Sequence, residues 1–150
     1  MTRWPPNSDR IDLLLVEDRE ADVELTRQSL EEIGAPIKVH VVRDGVETIA
    51  FLRHKSSFRH APRPHLILLD LNLPRMDGRE VLAEIKHDPL LRIVPVVILT
   101  TSAADRDVCA AYEHHANGYM IKPVEFDRFV DVIRSIGDYW LRVVTLPPRK

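Results

Sequence analysis

Four short apolar runs in this sequence each end in polar residues that could take part in chemistry. In chain order these residues are Glu17 and Asp18, Asp70, Thr100, and Lys122. If the runs are parallel strands, their carboxyl ends meet at one edge of a sheet, where such sheets bind ligands. Three carboxylates crowded at that edge would raise one another's pKa values unless a cation joined them. The pattern therefore indicates a cation site built from more than one strand.

The residue types at this edge suit magnesium and phosphoryl chemistry. Mg²⁺ commonly takes one or two carboxylates together with water and a substrate phosphate. Lys122 supplies a positive charge and Thr100 a hydroxyl donor, and both could offset charge on a phosphoryl group. Asp70 directly follows the apolar run Leu66–Leu69, and a carboxylate can attack phosphorus to give an acyl phosphate. Taken singly, each residue could be an ordinary surface or turn residue, so the prediction depends on their convergence.

Strands and helices are predicted to alternate along the chain. The predicted strands are Ile11–Val16, Ile37–Val42, Leu66–Leu69, residues 96–99 and Gly118–Ile121. The predicted helices are residues 21–33, 46–52, 79–86, 105–115 and 125–144. Five strands alternating with five helices indicate an α/β fold, in which a doubly wound parallel sheet has helices on both faces.

Composition restricts the class of partner. The chain has 150 residues, of which 29% are charged, and a net charge of −2, which favours one soluble domain without a basic stripe for nucleic acid. No apolar run is long enough to cross a membrane. The single cysteine, Cys109, cannot form an internal disulfide, and the first residues lack the apolar core of a secretory signal. Both features favour a cytoplasmic protein.

We divide the chain into an arm at residues 1–10, one domain at residues 11–144 and a tail at residues 145–150. Within the domain, residues 53–65 are basic and contain prolines, which predicts a surface loop that is either a recognition loop or a tolerated insertion. The last helix has a wider apolar face than a surface helix needs to cover one side of a sheet. Residues on this helix that could contact something besides the sheet are Tyr139, Trp140 and Val143.

Together these residues resemble the receiver domain of two-component response regulators. The resemblance covers residues 11–136 and depends on five motifs in order, one of which is Asp-Leu-Asn-Leu-Pro-Arg-Met-Asp-Gly at residues 70–78. It implies a flavodoxin-like (CheY-like) fold with strand order 2-1-3-4-5 and an extended C-terminal helix. It also implies a histidine kinase as partner, and a phosphoacceptor signalling protein with at most slow autodephosphorylation instead of a turnover enzyme.

The resemblance implies a role for each site residue. Asp70 matches the phosphoacceptor, Thr100 the switch hydroxyl, Tyr119 the switch aromatic residue and Lys122 the phosphate-binding lysine. The matching magnesium ligands are Glu17, Asp18, Asp70 and the backbone carbonyl of Asn72. The bond before Pro123 would be cis, which would direct the lysine. Phosphorylation would draw Thr100 toward the phosphate and let Tyr119 turn inward.

A narrower resemblance is to the single-domain regulators of phytochrome histidine kinases. It depends on the long loop at residues 53–65, residues 99–102, residues 117–123 and the end of the chain at residues 138–147. Those regulators have no output domain, which agrees with a chain of 150 residues, and some form homodimers through the C-terminal helix. We therefore expect a phosphorelay protein that serves a photoreceptor kinase and forms a homodimer through its last helix.

Three alternatives fit the sequence less well. A phosphohydrolase of the haloacid dehalogenase type also uses a strand-end aspartate and magnesium, but it needs an acid where this chain has Asn72. A flavodoxin-like electron carrier needs a glycine- or hydroxyl-rich phosphate loop after the first strand, and residues 17–20 do not provide one. A receiver-like protein that only binds partners would have no use for the intact set of acids.

Overall fold

The computed structural model describes residues 10–148, so most of the predicted arm and the last two residues of the predicted tail lie outside the described residues. The strands are β1 (Ile11–Val16), β2 (Ile37–Val42), β3 (Leu66–Leu69), β4 (Val96–Thr100) and β5 (Gly118–Ile121). The helices are α1 (Glu20–Glu31), α2 (Gly45–Leu52), α3 (Gly78–His87), α4 (Asp105–Glu113) and α5 (Phe126–Ile136). The strands form one parallel sheet in the order β2-β1-β3-β4-β5, which confirms the predicted class and strand order.

The central strands are apolar along their length because helices cover both faces of the sheet. All residues of β3 and β4 are buried. Successive residues of β1 contribute to opposite faces: Leu14 packs in the cluster under α2, α3 and α4, whereas Leu13 packs in the cluster under α1 and α5. The residue that follows β3, Asp70, is therefore buried at the carboxyl edge of the sheet.

The C-terminal helix is present, but it is not α-helical to its end. The α-helix stops at Ile136 and continues as a π-helical segment, Gly137–Val143. At the junction, Gly137 lies so close to the turn after α1 that a Cβ there would overlap the side chain of Ile33. The predicted single helix over residues 125–144 is therefore correct in extent, while its last two turns have the wider π geometry that sequence periodicity does not reveal.

The basic loop at residues 53–65 is tied to its surroundings. It contains one 3-10 turn, Ser56–Phe58, and Phe58 packs against the core cluster on that side of the sheet. Arg53 pairs with Glu84 on α3, at 2.9 Å, and the Arg63 guanidinium donates to the backbone carbonyl of Leu90. The predicted surface loop is confirmed, and these contacts show that it is anchored to α3 and to the segment after α3.

The described part of the tail returns to the sheet. Leu146 packs against the cluster under α1 and α5. Pro147 and Pro148 line a small cavity together with His65 and Pro95, which directly precede β3 and β4. Residues 146–148 therefore lie against the folded domain.

Two further findings concern the predicted cis peptide bond and the predicted absence of a membrane-spanning helix. Every peptide bond among residues 10–148 is trans, so the expected cis bond before Pro123 is wrong for this structure. The preference of an X–Pro bond for trans amounts to about 0.5–1 kcal/mol, and the lysine reaches its carboxylate partners from the trans form. Over residues 10–148, no helix is both long enough and apolar enough to span a bilayer.

Candidate functional site

The register of the sheet brings the first acids together. Val16 at the end of β1 pairs with Leu69 at the end of β3, so Glu17 and Asp70 leave the sheet side by side. The backbone of Asp70 still donates to the carbonyl of Val16, which holds the acid at the strand end. Carboxylate oxygens of Glu17, Asp18 and Asp70 lie within 4.8 Å of one another. The structure therefore forms the predicted three-carboxylate cluster.

Asp70 is buried, and both of its carboxylate oxygens accept hydrogen bonds. Oδ1 accepts from the Thr100 hydroxyl at 2.9 Å and from the backbone N–H of Asn72 at 3.0 Å. Oδ2 accepts from the Lys122 ammonium at 2.8 Å. Three donors thus surround the carboxylate at which we predict phosphorylation, and each could also donate to the oxygens of a phosphoryl group placed there.

Lys122 is the cation at the centre of this cluster. Its ammonium contacts Glu17, Asp70 at 2.8 Å, and Asp22 at 3.0 Å. Burial alone would lower the pKa of Lys122, but hydrogen bonds with Asp70 and Glu17 outweigh that effect and raise the pKa to about 12. The side chain is therefore protonated at neutral pH and offsets part of the negative charge at the site.

For the pKa of Glu17, the effect of burial outweighs the effect of the contact with Lys122. Desolvation by burial is the largest effect and raises the pKa of Glu17 from 4.5 to about 7, although Lys122 acts to lower it. A buried carboxylate with a raised pKa is stabilised in its charged form by a further cation. The donor set therefore fits a hard divalent ion such as Mg²⁺, which prefers carboxylate oxygens. The backbone N–H of Asn72 donates to Asp70. A role for the backbone carbonyl of Asn72 as a magnesium ligand stays a prediction.

The Asp77–Gly78 turn lies directly against the backbone of Asp70. Asp77 caps α3 by accepting from the backbone N–H of Arg79 at 2.7 Å, as expected of a turn residue before a helix. Gly78 packs so closely under β3 that a Cβ would overlap the carbonyl oxygen of Asp70. The glycine therefore permits α3 to begin directly against the backbone of the candidate acceptor.

Tyr119 is turned inward. Its hydroxyl donates to the backbone carbonyl of Ser102 at 2.9 Å, and its ring packs against the core cluster under α2, α3 and α4. Burial raises the pKa of Tyr119, so the hydroxyl keeps its proton and remains a donor. Thr100, which contacts Asp70, and Ser102, which contacts Tyr119, are therefore two residues apart on one short segment. The movement of Thr100 and Tyr119 on phosphorylation stays a prediction.

Sequence reasoning missed three polar residues around the site. Asp22 looks like an ordinary acid in the first turn of α1, where acids are common because of the helix dipole. Asp107 has the same position in α4, and Ser102 is one hydroxyl residue in a predicted loop. Their contacts depend on how the helices pack on the sheet, so no local pattern distinguishes them from solvated side chains.

The sequence profile described as "Response regulator receiver domain" matches residues 13–134. The chain belongs to the response regulator receiver domain family. Among similar proteins, response regulator Rcp1 of Synechocystis sp. (strain ATCC 27184 / PCC 6803 / Kazusa) is 46% identical over 135 residues, which cover 90% of this chain and 92% of Rcp1. The strand-end residues of this receiver domain thus occur in a sequence that matches the family along most of its length.

Solved structures agree with this assignment. The Mn(2+)-bound form of Rcp1 superposes on this receiver domain with a TM-score of 0.90 and 45% identity, covering 92% of this chain and 99% of that one. The phosphorylated cyanobacterial phytochrome response regulator RcpA superposes with a TM-score of 0.91 and 44% identity, covering 93% and 100%. A divalent metal and a phosphoryl group have therefore each been observed in a protein that shares this fold and nearly half of this sequence.

Proposed function

We propose that this receiver domain accepts a phosphoryl group on Asp70 from a histidine kinase and passes on the signal as a phosphoprotein. The observation that carries the proposal is the arrangement around one buried carboxylate, Asp70, which contacts an ammonium and a hydroxyl and lies beside two further acids. Such a site can balance the charge of an incoming phosphoryl group, which a single surface aspartate cannot do.

In the transfer, an oxygen of Asp70 attacks the phosphorus of phosphohistidine. A P–O bond forms, the P–N bond breaks, and its electron pair stays on the departing imidazole nitrogen of the kinase. Lys122 and Thr100 then donate to oxygens of the phosphoryl group in place of the Asp70 oxygens. When bound by Glu17, Asp18, Asp70 and the carbonyl of Asn72, Mg²⁺ would supply positive charge against the phosphoryl oxygens.

Slow loss of the phosphoryl group follows from the same site. The residue two positions after the acceptor, Asn72, is exposed and carries an amide, which cannot take a proton from an attacking water. The donors that contact Asp70 stabilise charge and activate no water. We therefore propose at most slow autodephosphorylation, which suits a signal carrier and not a turnover enzyme.

Labelling at Asp70 tests the proposal. Purified protein is incubated with acetyl phosphate and Mg²⁺, and the adduct is measured by intact mass and by its lability to hydroxylamine. We expect one phosphoryl group on the wild type, none on Asp70→Asn, and normal labelling of Asp105→Asn, which changes an exposed acid in the first turn of α4. Undiminished labelling of Asp70→Asn would refute the assignment of the acceptor.

We further propose that the donor is a phytochrome-type kinase and that both proteins act in the cytoplasm. The support is the similarity to RcpA, which is a cyanobacterial phytochrome response regulator. The test compares phosphotransfer from a purified phytochrome-type histidine kinase with transfer from an unrelated histidine kinase. Faster transfer from the phytochrome, with a rate that changes between red and far-red light, would support the pairing. Equal rates and no light dependence would contradict it.

We also propose that residues 11–144 are the receiver unit and that its C-terminal helix forms a homodimer. Tyr139 and Val143 on this helix are 56% and 70% exposed, and the Tyr139 ring makes an edge contact with Trp140, which holds a large apolar surface in place. Sedimentation should show dimers for the wild type at micromolar concentration and monomers for Val143→Asp. Val124→Asp, which changes a fully exposed valine outside this helix, should remain dimeric.

A further inference from the structure

Helices α3 and α4 are joined at their amino ends by one ion pair. The guanidinium of Arg79, in the first turn of α3, donates from Nε to Oδ1 of Asp107 at 3.2 Å, and its Nη2 lies 3.0 Å from Oδ2. Asp107 is in the first turn of α4 and its side chain is 17% exposed. Two parallel contacts between a guanidinium and a carboxylate fix direction as well as distance. The pair therefore links the first turns of α3 and α4, with the Arg79 side chain 40% exposed.

The same carboxylate holds the segment between β4 and α4. The hydroxyl of Ser102 donates to Oδ2 of Asp107 at 2.6 Å, while the backbone carbonyl of Ser102 accepts from the Tyr119 hydroxyl at 2.9 Å. Ser102 is two residues after Thr100, whose hydroxyl contacts Asp70. A continuous series of contacts therefore runs from α3 through Asp107 and Ser102 to the candidate switch residues.

Arg79 also reaches the loop that follows the acceptor. Its Nη1 lies 3.2 Å from both carboxylate oxygens of Asp77, the capping residue of α3. Arg79 thus connects the loop on one side of Asp70 to the segment on the other side. The hydrogen bond from Arg79 is the largest influence on Asp107 and lowers its pKa, so the carboxylate is charged at neutral pH. The network is therefore intact under the conditions in which phosphotransfer would occur.

We propose that Arg79 and Asp107 are positioning residues for the phosphorylation switch, because they hold Ser102 where its carbonyl can accept from Tyr119 and where Thr100 stays beside Asp70. Neither side chain contacts Asp70, so they act through the 100–102 segment. The inference rests on the proposed function and adds to it a specific pair outside the acid cluster. Without the pair, the segment samples more positions, and the fraction of molecules with Thr100 and Tyr119 correctly placed falls.

The expected effect is a weaker affinity for a phosphoryl analogue. Apparent affinity falls in proportion to the fraction of molecules in the competent arrangement. For a partly exposed charge pair, we expect Asp107→Ala to weaken binding of beryllofluoride with Mg²⁺ about 3- to 10-fold. Because Arg79 and Asp107 act on the same segment, the double variant with Arg79→Met should lose no more than the larger single loss.

The experiment measures beryllofluoride affinity by titration and follows tyrosine ring resonances by NMR in the same samples. Asp105→Ala is the matched control, since Asp105 is an exposed acid in the same first turn of α4 and takes no part in the Ser102 contact. The resonances of Tyr119 should shift in Asp107→Ala and stay unchanged in Asp105→Ala. Tyr112 and Tyr139, both exposed, serve as internal references.

The outcomes separate the two proposals. Failure of the wild type to bind beryllofluoride would overturn the proposed function itself. If the wild type binds but Asp107→Ala weakens binding no more than Asp105→Ala and leaves Tyr119 unshifted, the positioning role is wrong. Additive losses in the double variant would show that Arg79 and Asp107 act independently, which would also overturn the inference.

Discussion

Replacing Glu17 with glutamine should leave the metal-free domain at least as stable as the wild type while it weakens divalent-metal binding. Glu17 is buried, and desolvation raises its pKa from 4.5 to about 7 even though Lys122 contacts it. Glutamine keeps the shape of the side chain but carries no charge to desolvate. Lys122 retains Asp70 and Asp22 as partners, so no buried cation is left alone.

The magnitude follows from the shift in pKa. Between pH 4.5 and about 7, the folded domain holds a proton on Glu17 that the unfolded chain has released, so rising pH favours unfolding through this group. Each pKa unit corresponds to about 1.4 kcal/mol, which makes the cost of Glu17 at most about 3 kcal/mol once the pH exceeds 7. The Glu17→Gln variant lacks this cost, and its free energy of unfolding should change less over that pH interval.

Urea unfolding followed by circular dichroism tests this, at several pH values and in either EDTA or Mg²⁺. In EDTA above pH 7 the variant should equal or exceed the wild type, whereas Mg²⁺ should stabilise the wild type more, because the variant binds the ion at least about tenfold more weakly. Glu20→Gln, which changes a largely exposed acid, should alter neither quantity. A loss of more than about 1 kcal/mol by Glu17→Gln in EDTA, or equal stabilisation of both proteins by Mg²⁺, would refute the reasoning.

Three further outcomes are expected. Burial lowers the pKa of Lys86 from 10.5 to about 8. Between these two pH values the unfolded chain binds a proton that the folded domain lacks, so the free energy of unfolding should rise as the pH approaches 10. Urea unfolding should show this rise in the wild type and not in Lys86→Met; parallel curves would contradict it. The Gly78→Ala variant should keep the wild-type circular dichroism spectrum but be labelled poorly by acetyl phosphate, because the new Cβ displaces the backbone of Asp70. Normal labelling of the variant would show that Asp70 is not displaced. Leu68→Ala, in the middle of β3, should lower the free energy of unfolding by about 2–5 kcal/mol, and a loss below about 1 kcal/mol would show that the strand is not tightly packed.

The strands and the acids at their ends could be predicted because both signals are local. A strand buried on both faces is a short apolar run, and β3 has the predicted bounds. The residue that follows such a run lies at the ligand-binding edge of a parallel sheet, which is why Glu17, Asp70 and Lys122 converge as expected. The roles of these residues in phosphorylation stay predictions until labelling is measured.

Other parts of the site could not be predicted. Lys86 is buried, and its ammonium donates to the carbonyls of Arg92 and Val94 and to the side chain of Asn117, although lysine on a helix is usually exposed. The Asp107–Ser102 contact joins residues that are unremarkable in sequence, and the trans bond before Pro123 contradicts the family expectation. Each depends on the exact distance between neighbouring elements.

The sequence by itself determined the alternation of strands and helices, the order of the polar groups along the chain and the kind of ion they suit, because periodicity and residue type are local properties. Only the tertiary structure decided which partners those groups have: that Lys122 also contacts Asp22 on α1, and that Tyr119 reaches the carbonyl of Ser102. Hydrogen bonds require heavy atoms within about 3 Å of one another, and only the packing of helices against the sheet sets distances on that scale.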